Sequence, residues 1–489
     1  MTRQRITLAI LALGGQGGGV LADWILDLAK HAGWRAQGTS VPGVAQRTGS
    51  TVYYVEMVPL TVSADPVLAL MPVPGDVDIV IASELMEAGR AILRGFVTKD
   101  RTTLIGSTHR IFAISEKASM ADGRASSERI AAACEERARR FIGFDMEATT
   151  EASGSVISSI MFGALAGSGA LPFERAAFEA AIRASGIAID SNLRGFDAGF
   201  QAAGAGQNSL PPVAENDLPQ PTTAAGRALA ARVATLPAAA QANALHGVAR
   251  LTDYQDAAYA GLYLDRLAPI AAFGDATLTA ETARHLALWM SYEDTIRVAD
   301  LKIRASRFDR VRHEVRAKAD QIVGVTEYMH PRLREVCETL PAAIGRFILG
   351  SPRLSKLLAP LFREGRHVET TSLRWFLMLR LLAGMRRMRR SSLRYSEEQA
   401  RIDDWLGLIS QTAARDLPLA TEVARAQGLV KGYGDTFERG LANFETLMAH
   451  LPYVDANGLA RLRTAALADD KGHKLAEELA ITGIQRAIA

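Results

Sequence analysis

The chain has 489 residues, 48% of them apolar and 22% charged, with 56 basic against 53 acidic side chains; this is the composition of a globular protein with a large core, of roughly two to four domains. So even a charge balance argues against nucleic acid as a main partner. The two cysteines, Cys134 and Cys337, exclude a disulfide framework, a Cys/His zinc cluster and an iron–sulfur cluster, which needs about four thiolates, and such sparing use fits a reducing cytoplasm.

Arg3 and Arg5 precede an apolar run, Ile6–Leu13, which is short and is followed by Gly14-Gly15-Gln16-Gly17-Gly18-Gly19 without an A-x-A-like site. It reads as a buried strand and not as a secretion signal. Val20, Leu21, Trp24, Ile25 and Leu28 then recur at helical spacing up to His31. A run of small and turn residues, Gly38–Gly49, is expected to be a loop. Ser50–Val58, Asp78–Ala82 and Thr102–Ile105 predict strands, rich as they are in β-branched and aromatic residues. Glu84–Arg94, Val156–Gly167 and Phe173–Ile182 predict helices.

Ala152–Phe173 is uncharged but rich in Ser and Gly, and Trp375–Met385 is interrupted by Arg380. Neither suits a membrane span, which needs about 20 apolar residues. Alternating strands and helices make residues 1–203 an α/β domain of Rossmann-like, three-layer type. Glycines and prolines, among them Gly206, Pro211, Pro212 and Pro219, mark a linker over 204–223. Residues 224–489 carry helical periodicity with few β-type runs, so a mainly α-helical C-terminal region is expected.

The strand–glycine–helix order at Gly15, Gln16, Gly17 and Gly18 gathers backbone N–H groups at a helix N-terminus, which suits an anion. A dinucleotide fingerprint fails there: Val20 stands where the last glycine belongs, and no acid lies between Asp27 and Glu56. The P-loop pattern fails as well. In the second loop, Gln46 and Arg47 offer an amide and a planar guanidinium for phosphate or carboxylate. His109 and Glu84 follow strand ends, but a lone histidine and a helix-start carboxylate read as structural. Arg386-Arg387-Met388-Arg389-Arg390 reads as a solvated helix face, offset by Glu397, Glu398, Asp403 and Asp404, with partner docking as the other possibility. Lys431–Thr436 is a distinctive turn, either structural or phosphate-contacting.

LGGQGGGVLADWILDLAKHAGW and VPGVAQRTGSTVYYVEM, with SELMEAGRAILRGFVTKDRTTLIGSTHR and LPFERAAFEAAIR, resemble the gamma-type domain of 2-oxoacid:ferredoxin oxidoreductases over about residues 5–200. RLTDYQDAAYAGLYLDRL, EYMHPRLREVCETLP and LVKGYGDTFERGLANF are similar to the C-terminal extension of long-form indolepyruvate oxidoreductase beta subunits. The resemblance implies a hetero-oligomer. Its alpha subunit carries thiamine diphosphate, a divalent metal and the iron–sulfur clusters. Arylpyruvate and coenzyme A are the substrates, and ferredoxin or another acceptor takes the electrons. No cofactor is expected to be bound tightly by this chain, which would be inactive alone. Gly15–Gly18 and Gln46-Arg47 match the family's two glycine-containing loops and would face the partner's cofactor or the CoA phosphates. A stand-alone nucleotide-dependent oxidoreductase and a scaffold remain the competing readings.

Overall fold

A computed structural model describes residues 5–41, 50–61, 66–112, 116–117, 123–205, 218–315, 317–362, 364–432, 434–469 and 472–481. The chain divides into two compact units, Met1–Glu215 and Asn216–Ala489.

The first unit is built on a six-stranded sheet in the order β2-β3-β1-β4-β5-β6. Its strands are β1 (Ile6–Ala12), β2 (Trp34–Val41), β3 (Thr51–Pro59), β4 (Ile79–Ala82), β5 (Thr103–Ser107) and β6 (Arg140–Phe144). β1 pairs antiparallel with β3 and β3 antiparallel with β2, while β1, β4, β5 and β6 run parallel. All seven residues of β1 are buried, as expected of a central strand covered on both faces. Leu8, Ile10 and Ala12 point into one layer, Ala9 and Leu11 into the other, the period-two alternation of a strand. Helix α1 (Gly18–His31) packs on the first face with helices Ile157–Ser168, Arg175–Ala184 and Ile189–Gly204. Helix α2 (Leu85–Leu93) and helix Ser127–Arg137 cover the second. The expected three-layer α/β domain is therefore present.

Two details differ from the sequence reading. Gly38–Val41 is not loop but the end of β2, whose eight residues pair with β3 from Trp34↔Pro59 to Val41↔Val52. This edge strand is partly exposed along its length and so lacks the apolar run that identifies a central strand. β6 and helix Ile189–Gly204 also gave no strong signal.

The uncharged Ser/Gly-rich stretch is helix Ile157–Ser168, buried nearly all round. Its glycines face the backbone of helix Ile189–Gly204, and Gly199 of that helix faces Ile160 in return. A Cβ on Gly163 would stand 2.0 Å from the Phe196 carbonyl oxygen, and one on Gly199 would stand 2.1 Å from that of Ile160. The two backbones are thus in direct contact, and the small residues are the condition for it.

The second unit is helical from Ala224 to Ile481 around one large core cluster that includes Tyr263, Leu286, Trp289, Trp405 and Leu447. It also holds an antiparallel ribbon, β7 (Thr326–Met329) with β8 (Arg366–Glu369), which the sequence reading did not include. Within Arg386–Arg390, Arg389 is not solvated. It is 2% exposed, stacks over the Tyr254 ring at 4.0 Å, and its Nε donates to Asp294 at 2.6 Å. Its acid partner lies 95 residues away, not in the following Glu/Asp-rich helix. No helix among the described residues is long and apolar enough to cross a membrane.

The glycine contact gives a prediction of reversed sign. Gly→Ala inside an exposed helix gains about 1 kcal/mol. Gly163→Ala should instead cost about 2 kcal/mol or more through overpacking, read as a lower urea midpoint for the first unit.

Candidate functional site

β1, β4 and β5 end side by side, with Leu11 opposite Ala82 and Ala82 opposite Gly106. α1 leaves β1 for one face and α2 leaves β4 for the other. The crossovers part between β1 and β4, and such a switch point at the carboxyl edge is where ligands bind in open α/β sheets. Three segments emerge there: the glycine loop, Ser83-Glu84 and Ser107–Arg110.

The glycine loop turns tightly, with the Gln16 N–H donating to the Leu13 carbonyl at 3.1 Å. Gly15 (φ 86°) and Gly17 (φ 68°) adopt the left-handed conformation that favours glycine. Gly17 caps α1 without a side chain to accept from the helix's first N–H groups, which leaves them for a ligand or water. Gly18 serves packing: a Cβ there would lie 2.6 Å from the Tyr53 ring and 2.7 Å from Ala12. Space is open around Gly14 and Gly15.

Gln16 ties the edge together. Its Oε1 accepts from the Leu13 N–H at 3.1 Å and from the Ser83 hydroxyl, bridging the ends of β1 and β4. Two donors fix the amide's orientation. The NH₂ group has no hydrogen-bond partner among the described residues.

Gln46 and Arg47 lie outside the described residues. The stems of their loop do not: Val41 pairs with Val52, and Thr51 pairs with Ala12 at the end of β1. The described residues that flank Gln46 and Arg47 therefore lie at the edge that carries the glycine turn. Buried Ser50 donates to Glu87 of α2, which also pairs with Arg90.

Glu84 caps α2, accepting from the N–H groups of Glu87 (2.8 Å), Met86 (3.0 Å) and Ile111 (3.3 Å). Burial pushes its carboxyl pKa up. Beside it, Arg110 lies 4.0 Å from Glu84 and pairs with Glu116 at 2.5 Å. His109 Nδ1 lies 2.5 Å from Ser107 Oγ, and that oxygen accepts from the Met146 N–H at 3.0 Å. Ser107 Oγ thus joins the His109 ring to the start of the helix Met146–Ser153. Nε2 is buried without a partner among the described residues. Burial also lowers the His109 pKa, so the ring is neutral at pH 7.

The edge thus offers neutral donors, the helix N–H groups and the Gln16 amide, with a neutral imidazole beside them. It suits an anionic group held by hydrogen bonds. Among the described residues no group of three His, Cys, Asp or Glu is placed to hold a metal. Cys134 is buried in its helix, its thiol pushed up to about 12 by burial, and Cys337 belongs to the other unit. These two thiols do not fit an iron–sulfur cluster. β2, whose end would present the ribose-binding acid of a dinucleotide site, contains no Asp or Glu.

The first unit, which carries this edge, is similar in sequence to known proteins. Residues 7–202 match the family model described as pyruvate ferredoxin/flavodoxin oxidoreductase. It is similar to the indolepyruvate oxidoreductase subunit IorB of Pyrococcus horikoshii, 28% identical over 203 residues, which span 40% of this chain and 95% of that protein. The subunit of the same name from Thermococcus kodakarensis is 26% identical over 200 residues, again 40% and 95%. The family resemblance read from the two loops is borne out over this span. A solved structure, the pyruvate oxidoreductase subunit PORC of Thermotoga maritima, aligns at 18% identity and a TM-score of 0.29, covering 41% of this chain and 97% of that one. Residues 240–450 match a second model, described as a family of unknown function, DUF6537.

Gln16→Ala should remove the acceptor shared by Leu13 and Ser83 and lower the stability of the first unit by about 1–3 kcal/mol, measured by urea unfolding. The His109 shift has a defined sign. Its folded pKa lies below the unfolded value, so its contribution is full above about pH 6.5 and is lost as pH falls toward the folded pKa. His109→Gln should flatten that part of the stability profile between pH 7.5 and 5; an unchanged slope would refute the assignment.

Proposed function

We propose that this chain is the beta-type subunit of a coenzyme-A-dependent arylpyruvate oxidoreductase, with indolepyruvate as the preferred member of that substrate class. The observation that carries the reading is the family match over residues 7–202, together with two relatives named as indolepyruvate oxidoreductase subunits. Coarsely, these support a subunit of a 2-oxoacid:ferredoxin oxidoreductase. The finer statements rest on the loops and on the chemistry available to them.

On this reading the partner alpha subunit binds thiamine diphosphate with its metal and the iron–sulfur clusters. Those groups supply the decarboxylation and the path by which an electron pair reaches ferredoxin or another acceptor, while CoA leaves with the acyl group. This chain's own residues bind and position. The uncapped N–H groups after Gly17 and the amide of Gln16 donate to an anionic group, either a CoA phosphate or the substrate carboxylate. Arg47, from the segment between β2 and β3, adds a guanidinium. Gly15 supplies the turn and Gly18 the packing that hold these donors in place, and neutral His109 lines the edge without adding charge. The complex as a whole is cytoplasmic.

The test is reconstitution. The purified chain should contain no iron and oxidise no arylpyruvate. Adding the thiamine-dependent subunit from the same genome should give CoA-dependent turnover. Arg47→Ala in the complex should lower kcat/KM by roughly tenfold to a hundredfold, the cost of a lost charged hydrogen bond, and should raise the CoA requirement if Arg47 meets a phosphate. Turnover by the chain alone with NAD(H) or FAD would overturn the reading.

A further inference from the structure

The helix Leu373–Gly384 is turned inside out relative to an ordinary surface helix. Leu379 is its one fully buried side chain, packed with Val368 and Ala299 and flanked by Trp375 and Leu382. Leu373, Leu377 and Leu381, spaced four apart on one face, are 74%, 54% and 73% exposed. A soluble surface helix places polar residues there. The same stretch of chain also exposes Ile344, Phe347 and Leu357.

Charge accompanies this apolar face. Residues 342–390 contain eleven arginines and lysines against two acids, Glu364 and Glu369, an excess of nine in a chain whose whole excess is three. Arg389 and Arg390 are paired with Asp294 and Asp256. Arg353, Lys356, Arg374, Arg380 and Arg387 have no carboxylate partner among the described residues. An apolar stripe flanked by unpaired cations is complementary to an apolar groove rimmed by Asp and Glu.

We propose that the Leu373–Leu377–Leu381 face docks into such an acid-rimmed groove on the thiamine-bearing partner subunit; the choice of partner rests on the function proposed above. A second copy of this chain fits less well, because it would bring two strongly cationic segments together. A bilayer surface also fits less well. Interfacial helices set aromatic rings outward at the headgroup level, and here Trp375 packs inward.

The test uses the full-length chain and the thiamine-dependent subunit from the same genome, with complex formation followed by sedimentation velocity and titration calorimetry. Leu377→Gln/Leu381→Gln keeps charge and helix propensity. Arg374→Glu/Arg380→Glu reverses the rim. Circular dichroism and thermal melting verify that both fold. Each is expected to weaken assembly by about tenfold or more, and the arginine variant should lose much of the wild type's salt dependence. Wild-type assembly with both variants unimpaired overturns this proposal and leaves the functional reading standing. Failure of the wild-type chain to assemble overturns the functional reading, and the docking proposal with it. Leucine-dependent binding to phosphatidylglycerol vesicles, or leucine-dependent self-association, with unaltered partner binding, assigns the face to a membrane or to a second copy and overturns the proposal.

Discussion

The Gln16 side-chain oxygen receives the Leu13 N–H and the Ser83 hydroxyl, and so holds together two strand ends whose connecting helices depart to opposite faces. The crevice at this edge exists because the crossovers part there, and the bridge keeps it from splaying. The glycine turn depends on the same arrangement. Gly15 and Gly17 carry the chain through left-handed conformations, and Gly18 lets α1 lie against Ala12 and Tyr53. With a side chain at any of these positions, the helix N-terminus would not sit where its N–H groups face the opening.

Much of the sheet was legible in the sequence because β1, β3, β4 and β5 are buried and read as apolar or β-branched runs. β2 was not, since an edge strand needs no continuous apolar face; WRAQGTSV is held by its ladder to β3 and not by its own pattern. The helix pair around Gly163 and Gly199 gave only a compositional hint, an uncharged Ser/Gly-rich stretch. Its physical meaning, backbone lying against backbone, requires the partner helix to be seen.

The candidate site divides in the same way. The glycine turn was legible because its residues are consecutive. The Gln16–Ser83 and Ser50–Glu87 contacts were not, because they join residues 67 and 37 positions apart. His109 looked like an isolated histidine until the fold set its ring against Ser107, whose oxygen also holds the Met146 N–H. Arg389 was misjudged for a related reason: a basic run reads as solvated, and only the fold brings Asp294 and the Tyr254 ring around one of its members.

The two cysteines first appeared as a shortage. Their surroundings give them a second meaning. Cys134 and Cys337 are each about fully enclosed, and burial raises both thiols above their ordinary pKa, so neither presents the thiolate that oxidants and electrophiles attack. The folded chain is chemically quiet at both of its thiols, and an oxidant would reach exposed methionines such as Met71 and Met388 first.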